Sequence, residues 1–104
     1  MRVLFDQGTP VPLRSHFSVH TVETAYEKGW SALRNGELLA KAEAEFELFV
    51  TTDRNLRHQQ NLAGRRIAIL VLPTTSWPRL APAGGKIAEL AEKIGPGQIV
   101  EFAL

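Results

Sequence analysis

The chain contains no cysteine. Disulfides, thiolate metal sites and cysteine nucleophiles are therefore excluded, and nothing signals an oxidising compartment. Long apolar runs are also lacking, because none approaches the roughly 20 residues of a membrane span. Charge of one sign is not in excess. The net charge is +1, so contact with nucleic acid would have to come from local clustering of basic residues. No glycine-rich phosphate loop is present: Gly8 and the pair Gly84-Gly85 fit neither the P-loop nor the dinucleotide pattern. No serine stands in a nucleophile elbow. His16, His20 and His58 are far apart, whereas metal-binding histidine pairs are closely spaced, so zinc is not expected. Aspartate is scarce too. Only Asp6 and Asp53 occur, and every other acid is a glutamate.

What remains is ordinary globular composition, with 44% apolar and 22% charged residues in 104. That length supports one domain with a single core. The opening MRVLFD reads as a strand and lacks the long apolar region of a signal peptide. A cytoplasmic protein is expected.

Apolar patterning divides the chain into alternating elements. Residues 2–6 predict a strand, broken by Gly8, Pro10 and Pro12. Pro12 suits the first turn of a short helix ending near Phe17. Residues 18–22 predict a second strand, and residues 23–29 a turn of helix stopped by Gly29. Asn35 is a good N-cap for a helix in which Leu38, Leu39, Ala42 and Phe46 recur at helical spacing. Residues 48–52 predict a strand before Asp53, and residues 54–62 a short polar helix. The apolar run 66–72 predicts a strand buried on both faces. Pro73, Pro78 and Pro82 predict a long loop. Residues 86–94 predict an amphipathic helix, and residues 98–103 a last strand at an edge. This alternation implies an α/β fold with a mostly parallel central sheet flanked by helices.

Both aspartates follow an apolar strand. Open α/β sheets bind ligands outside the carboxyl ends of their strands, so Asp6 and Asp53 are the first candidates for chemistry. With Glu37, in the first turn of a helix, they could bind Mg²⁺ or a similar hard cation, which takes oxygen ligands. Plainer roles are available to each. Asp6 suits a turn before Gly8 and Pro10, Asp53 suits a helix N-cap, and Glu37 suits the positive end of a helix dipole. The segment from Asp53 to Arg66 adds Arg54, Arg57, His58, Arg65 and Arg66, with a dense run of amides at Asn55, Gln59, Gln60 and Asn61. Arginines and amides beside such a site suit phosphate contacts; an ordinary solvated helix accounts for Arg57 and Arg66 as well. Trp30 and Trp77 flank loops and suit packing more than base stacking.

The segments MRVLFDQGTP, NGELLAKAEAE and FVTTDRNL resemble, in order and spacing, the three landmarks of PIN-like domains, compact relatives of PIN nucleases and VapC-type toxins. The pattern is a first strand ending in Asp, an acid opening a middle helix, and a strand ending in T-x-D or T-D. The resemblance covers residues 1–72, with the final helix and strand consistent with it. It implies a three-layer fold, with a mostly parallel central sheet of four to five strands flanked by helices, and metal-dependent hydrolysis of RNA at a cluster of three or four carboxylates holding Mg²⁺ or Mn²⁺. By that similarity Asp6 and Asp53 take two of the acid positions. The middle position falls on Asn35, with Glu37 two residues on as the replacement. Glu23 and Glu27 are the candidates for a further acid. Asn35, Arg54, Asn55 and Arg57 are then the candidate substrate contacts.

Two functions follow. One is a metal-dependent ribonuclease acting as the toxin of a toxin–antitoxin pair, with Asp6, Glu37 and Asp53 as metal ligands. The other is a PIN-like scaffold without catalysis that binds a protein or RNA, motivated by Asn35 in an acid position. A flavodoxin-like small-molecule domain ranks behind both, because DQGTPVP offers one glycine and two prolines where a phosphate loop would stand. The last strand and the Trp77-Pro78 segment are candidates for a homodimer contact.

Overall fold

The computed structural model describes residues 1–56, 62 and 64–104. Five parallel strands form one sheet: β1 (Arg2–Phe5), β2 (Thr21–Thr24), β3 (Leu48–Thr51), β4 (Ala68–Val71) and β5 (Ile99–Glu101). Their order is β2-β1-β3-β4-β5. Helices α1 (Asn35–Glu45), α2 (Trp77–Leu80) and α3 (Gly84–Lys93) lie in the connections, with 3₁₀ segments at Val11–Phe17 and Ala81–Ala83. This is the expected α/β architecture with a flanked parallel sheet.

Alternation along the strands creates two cores, because successive side chains point to opposite faces. Val3, Phe5, Leu48, Val50, Ala68 and Leu70 face one layer, where they meet Leu13 and Phe17 of the first 3₁₀ segment, Leu80 of α2, and Ile87 and Ala91 of α3. Leu4, Phe49, Ile69 and Val71 face the other, where they meet Leu38, Leu39 and Ala42 of α1. β3 and β4 are buried along their whole length, which explains their near-continuous apolar sequence. β5 pairs only with β4 and is the edge that its sequence predicts.

Several local expectations are corrected. The second strand begins three residues later than the β-branched run predicts, in register with β1 through Arg2 opposite Thr21. Residues 25–29 form turns, not a helix, and close at Gly29 with φ of 75°. The proline-rich segment is mostly helical. Pro78 and Pro82 occupy first-turn positions of α2 and the second 3₁₀ segment, where a missing N–H costs nothing. Asn35 is the first helical residue of α1 and not its cap; Arg34 holds the cap position in extended backbone. The polar helix expected at 54–62 falls largely outside the described residues.

Candidate carboxylate site at the switch point of the sheet

The chain runs from β1 outward to β2, then returns past β1 to β3. The strand order therefore reverses between β1 and β3. In doubly wound sheets, the crevice at such a reversal, outside the carboxyl ends of the strands, is where ligands bind, and the order 2-1-3-4-5 is that of flavodoxin-like sheets. Fold order by itself assigns no function. It does place Asp6, directly after β1, beside the end of β3.

The two aspartates are joined through Thr51, the last residue of β3. Its side chain is fully buried. Its hydroxyl donates to Asp6 Oδ2 at 2.7 Å and accepts the Asp53 N–H at 3.0 Å. One hydroxyl thus ties the end of β1 to the loop after β3. The backbone fixes Asp6 further: its N–H donates to the Val50 carbonyl at 2.9 Å, and its Oδ1 accepts the Gln7 N–H at 2.7 Å. Thr9 closes the β1 loop by donating its hydroxyl to the same Val50 carbonyl and its N–H to the Asp6 carbonyl. Gly8 is required by proximity, because a Cβ there would stand 2.5 Å from Thr52 Oγ1.

Asp53 is held from two sides. Asn35 Nδ2 donates to its Oδ2 at 2.8 Å, and the Asn55 N–H donates to its Oδ1 at 3.0 Å. The second contact is an Asx turn. The first brings the start of α1 to the end of β3, so the carboxylate also lies near the positive end of a helix dipole. Each carboxylate oxygen accepts one of these bonds, and a carboxylate has about four acceptor positions. Lone pairs therefore remain on both groups for a ligand.

The other expected members stand apart. Glu37 is exposed on α1. Among the described residues, no group of three His, Asp or Glu side chains is placed to hold a metal ion. The reason is geometric: Asn35 is the residue of α1 that points back to Asp53, and Glu37 lies two residues, about 200° of helix rotation, further on. Glu23 pairs with Arg2 and Lys28. Glu27 pairs with Arg14 at 2.6 Å and caps the turn after β2 through the Thr24 N–H. The Arg14 bond, and then the Thr24 N–H, hold the Glu27 carboxyl below its ordinary range. Arg54 is exposed and lines a separate cavity of about 350 Å³ with Pro73, Glu101 and Phe102. The Arg65 guanidinium is committed to Glu43, which also accepts the Arg66 backbone N–H. Arg57, His58, Gln59, Gln60 and Asn61 lie outside the described residues.

Neither tryptophan is a stacking platform. Trp30 meets Phe46 edge-on at 6.2 Å, and Trp77 packs against the first core. Thr51 is the threonine of the T-x-D strand end, and the structure gives it the role of bonding Asp6. A second cavity, of about 360 Å³, opens on the β2 side of Asp6 and is lined by Asp6, Gln7, Thr9, Val11, Arg14, Thr24, Tyr26 and Glu27. Nothing in the composition announced it.

No helix among the described residues is long and apolar enough to cross a membrane. No protein-family model, curated protein or solved structure matches the chain.

Proposed function

We propose that the Asp6–Asp53 pair binds one Mg²⁺ or Mn²⁺ ion and that the chain is a PIN-like ribonuclease. The observation that supports this reading is the shared Thr51 hydroxyl, which bonds the Asp6 carboxylate and the Asp53 backbone N–H and so brings the two residues to one edge of the sheet. Two carboxylates fit a single hard cation, whose remaining positions go to water and phosphate oxygens. They do not fit the cluster of three or four acids that the resemblance implies, so the reading is limited to one ion. Such an ion would supply Lewis-acid polarisation of a phosphodiester and neutralise its charge. The protein's part is positional. Thr51 ties Asp6 to the backbone of Asp53, Asn35 orients the Asp53 carboxylate, and the Asn55 N–H holds its other oxygen. An antitoxin partner and a homodimer through the β5 edge belong to the same reading.

The test is incubation of the purified protein with single-stranded RNA and Mn²⁺ or Mg²⁺. Cleavage that disappears in Asp6→Asn and in Asp53→Asn is expected. If neither metal gives cleavage or raises the melting temperature, the reading fails.

A second reading is a scaffold that binds RNA or a protein without hydrolysing anything. It is favoured by Glu37 standing outside the pair and by the neutral Asn35 amide occupying the place of a third acid. Under it, Asp6→Asn and Asp53→Asn change stability alone.

A further inference from the structure

The cavity beside Asp6 has a composition that the carboxylate pair does not explain. Its apolar walls are Val11 and Tyr26, which are 55% and 77% exposed. They come from separate elements, the first 3₁₀ segment and the turn after β2. The turn that presents Tyr26 is well fixed. Lys28 N–H bonds Thr24 O at 3.1 Å, Gly29 N–H bonds Tyr26 O at 3.0 Å, and Trp30 N–H bonds Ala25 O at 2.8 Å. An aromatic ring is thus held on a rigid turn without being used in either core.

The polar lining is mostly self-satisfied, with Arg14 Nε the buried nitrogen left without a partner. Both Glu27 oxygens receive Arg14 nitrogens, at 2.6 and 3.3 Å, so the acid and the base offset each other. Thr9 donates its hydroxyl to Val50 O, and Thr24 Oγ1 accepts the Glu27 N–H. The surface left for a ligand is therefore apolar and nearly neutral except at Asp6. Such a surface suits a flat, uncharged group and not a phosphate. The exposed Gln7 amide, at the rim, offers both a donor and an acceptor. At about 360 Å³ the cavity lies at the lower end of the roughly 300–1,000 Å³ range of small-ligand sites.

We propose that this cavity seats one unstacked base of a single-stranded RNA, stacked on Tyr26 with its polar edge toward Gln7. The proposal deepens the reading above and rests on it, since the adjoining phosphate would lie over the Asp6–Asp53 pair. Specific RNA recognition commonly splays single bases onto aromatic side chains. The site supplies that aromatic beside the acids whose cation would receive the backbone phosphate.

The test separates binding from cleavage. Fluorescence anisotropy of a labelled short single-stranded RNA is measured in Ca²⁺, an oxygen-liganded cation that can neutralise the acids in place of Mn²⁺ or Mg²⁺, with wild type, Tyr26→Ala and Tyr26→Phe. Loss of a base stack should weaken binding roughly tenfold in Tyr26→Ala, while Tyr26→Phe keeps near wild-type affinity. Tyr26 is exposed, so melting temperatures should match and show that both variants fold. Nucleoside monophosphates should shift the amide resonances of Val11, Thr24 and Tyr26. Equal affinity of Tyr26→Ala and wild type, or no RNA binding by wild type, overturns the base site. Tyr26-dependent binding without cleavage in Mn²⁺ supports the base site and sinks only the hydrolase reading. Cleavage with an unchanged KM in Tyr26→Ala does the reverse.

Discussion

The buried Thr51 hydroxyl donates to Asp6 Oδ2 at 2.7 Å, across the junction of β1 and β3. Because the same oxygen accepts the Asp53 N–H, it couples the two acids through one atom. Both strands end at this hydroxyl, and the candidate site depends on it.

Thr51→Val keeps the shape and removes the hydroxyl. It leaves a carboxylate oxygen and a backbone N–H without their partner, so a loss of about 1–3 kcal/mol is expected from urea unfolding. If the acids hold a cation, the rise in melting temperature on adding Mn²⁺ should also shrink. Thr51→Ser, which restores the hydroxyl, should recover most of that rise.

Asn35→Asp places an acid at the position where the expected pattern has one. Without metal, a carboxylate replaces the amide that donates to Asp53 at 2.8 Å. Like charges then face each other, and the variant should melt below wild type. With Mn²⁺ the order should invert, because a third acid strengthens the cation site. Melting curves with and without the metal check both halves, and a variant unaffected by Mn²⁺ argues against a cation at this place.

Gly84 and Gly85 open α3, yet they differ in surroundings. A Cβ on Gly84 would come within 2.5 Å of His16 Nε2, whereas one on Gly85 meets nothing within 4 Å. Gly85→Ala should stabilise by about 0.5 kcal/mol through reduced freedom of the unfolded chain. Gly84→Ala must displace the His16 ring from its place 6.0 Å from Trp77. Because the His16 ring is exposed and free to swing aside, the unfolding midpoint of Gly84→Ala should fall below that of Gly85→Ala by only a few tenths of a kcal/mol, about the cost of one displaced ring contact.

Acid should weaken the fold through three glutamates. The Arg14 hydrogen bond lowers the Glu27 carboxyl below its ordinary 4.5, the Arg66 N–H lowers Glu43, and the Lys28 ammonium lowers Glu45. A carboxyl whose folded value is depressed contributes stability that is complete above the unfolded value. That contribution is lost as pH falls through the folded value. Urea midpoints should therefore hold above about pH 4.5 and decline below it. Glu27→Gln should start lower at neutral pH and decline less steeply.

Leu70, at the centre of β4, is fully buried in the first core. Leu70→Ala should cost about 2–5 kcal/mol, a transfer penalty plus a cavity. For a domain of this size that is a large share of the total stability, and equilibrium unfolding should show it directly.

The sequence by itself determined the α/β class. Runs such as Ala68–Val71 carry apolar side chains on both sides of the chain, which only a doubly covered strand can bury. It also determined that the two aspartates stand just past strand ends, since Asp6 follows the apolar run 3–5 and Asp53 follows the run 48–50 and a Thr-Thr pair. Local rules failed where a distant partner competed with them. Asn35 has the chemistry of a helix cap, but its amide reaches Asp53, eighteen positions away. Pro78 and Pro82 are helix breakers by local rule, yet they fall in first turns, where proline's fixed backbone is tolerated.

Tertiary structure alone decided that β3 lies beside β1. That choice depends on which faces pack together, and no local pattern encodes it. From it came the reversal of strand order, the Thr51 bridge that makes a pair of two separate acids, and the exclusion of Glu37. The residue types for a carboxylate site are written along the chain. Which of them meet is set by long-range packing, because positions 6, 35, 51 and 53 converge only when the sheet and α1 have closed around a common core.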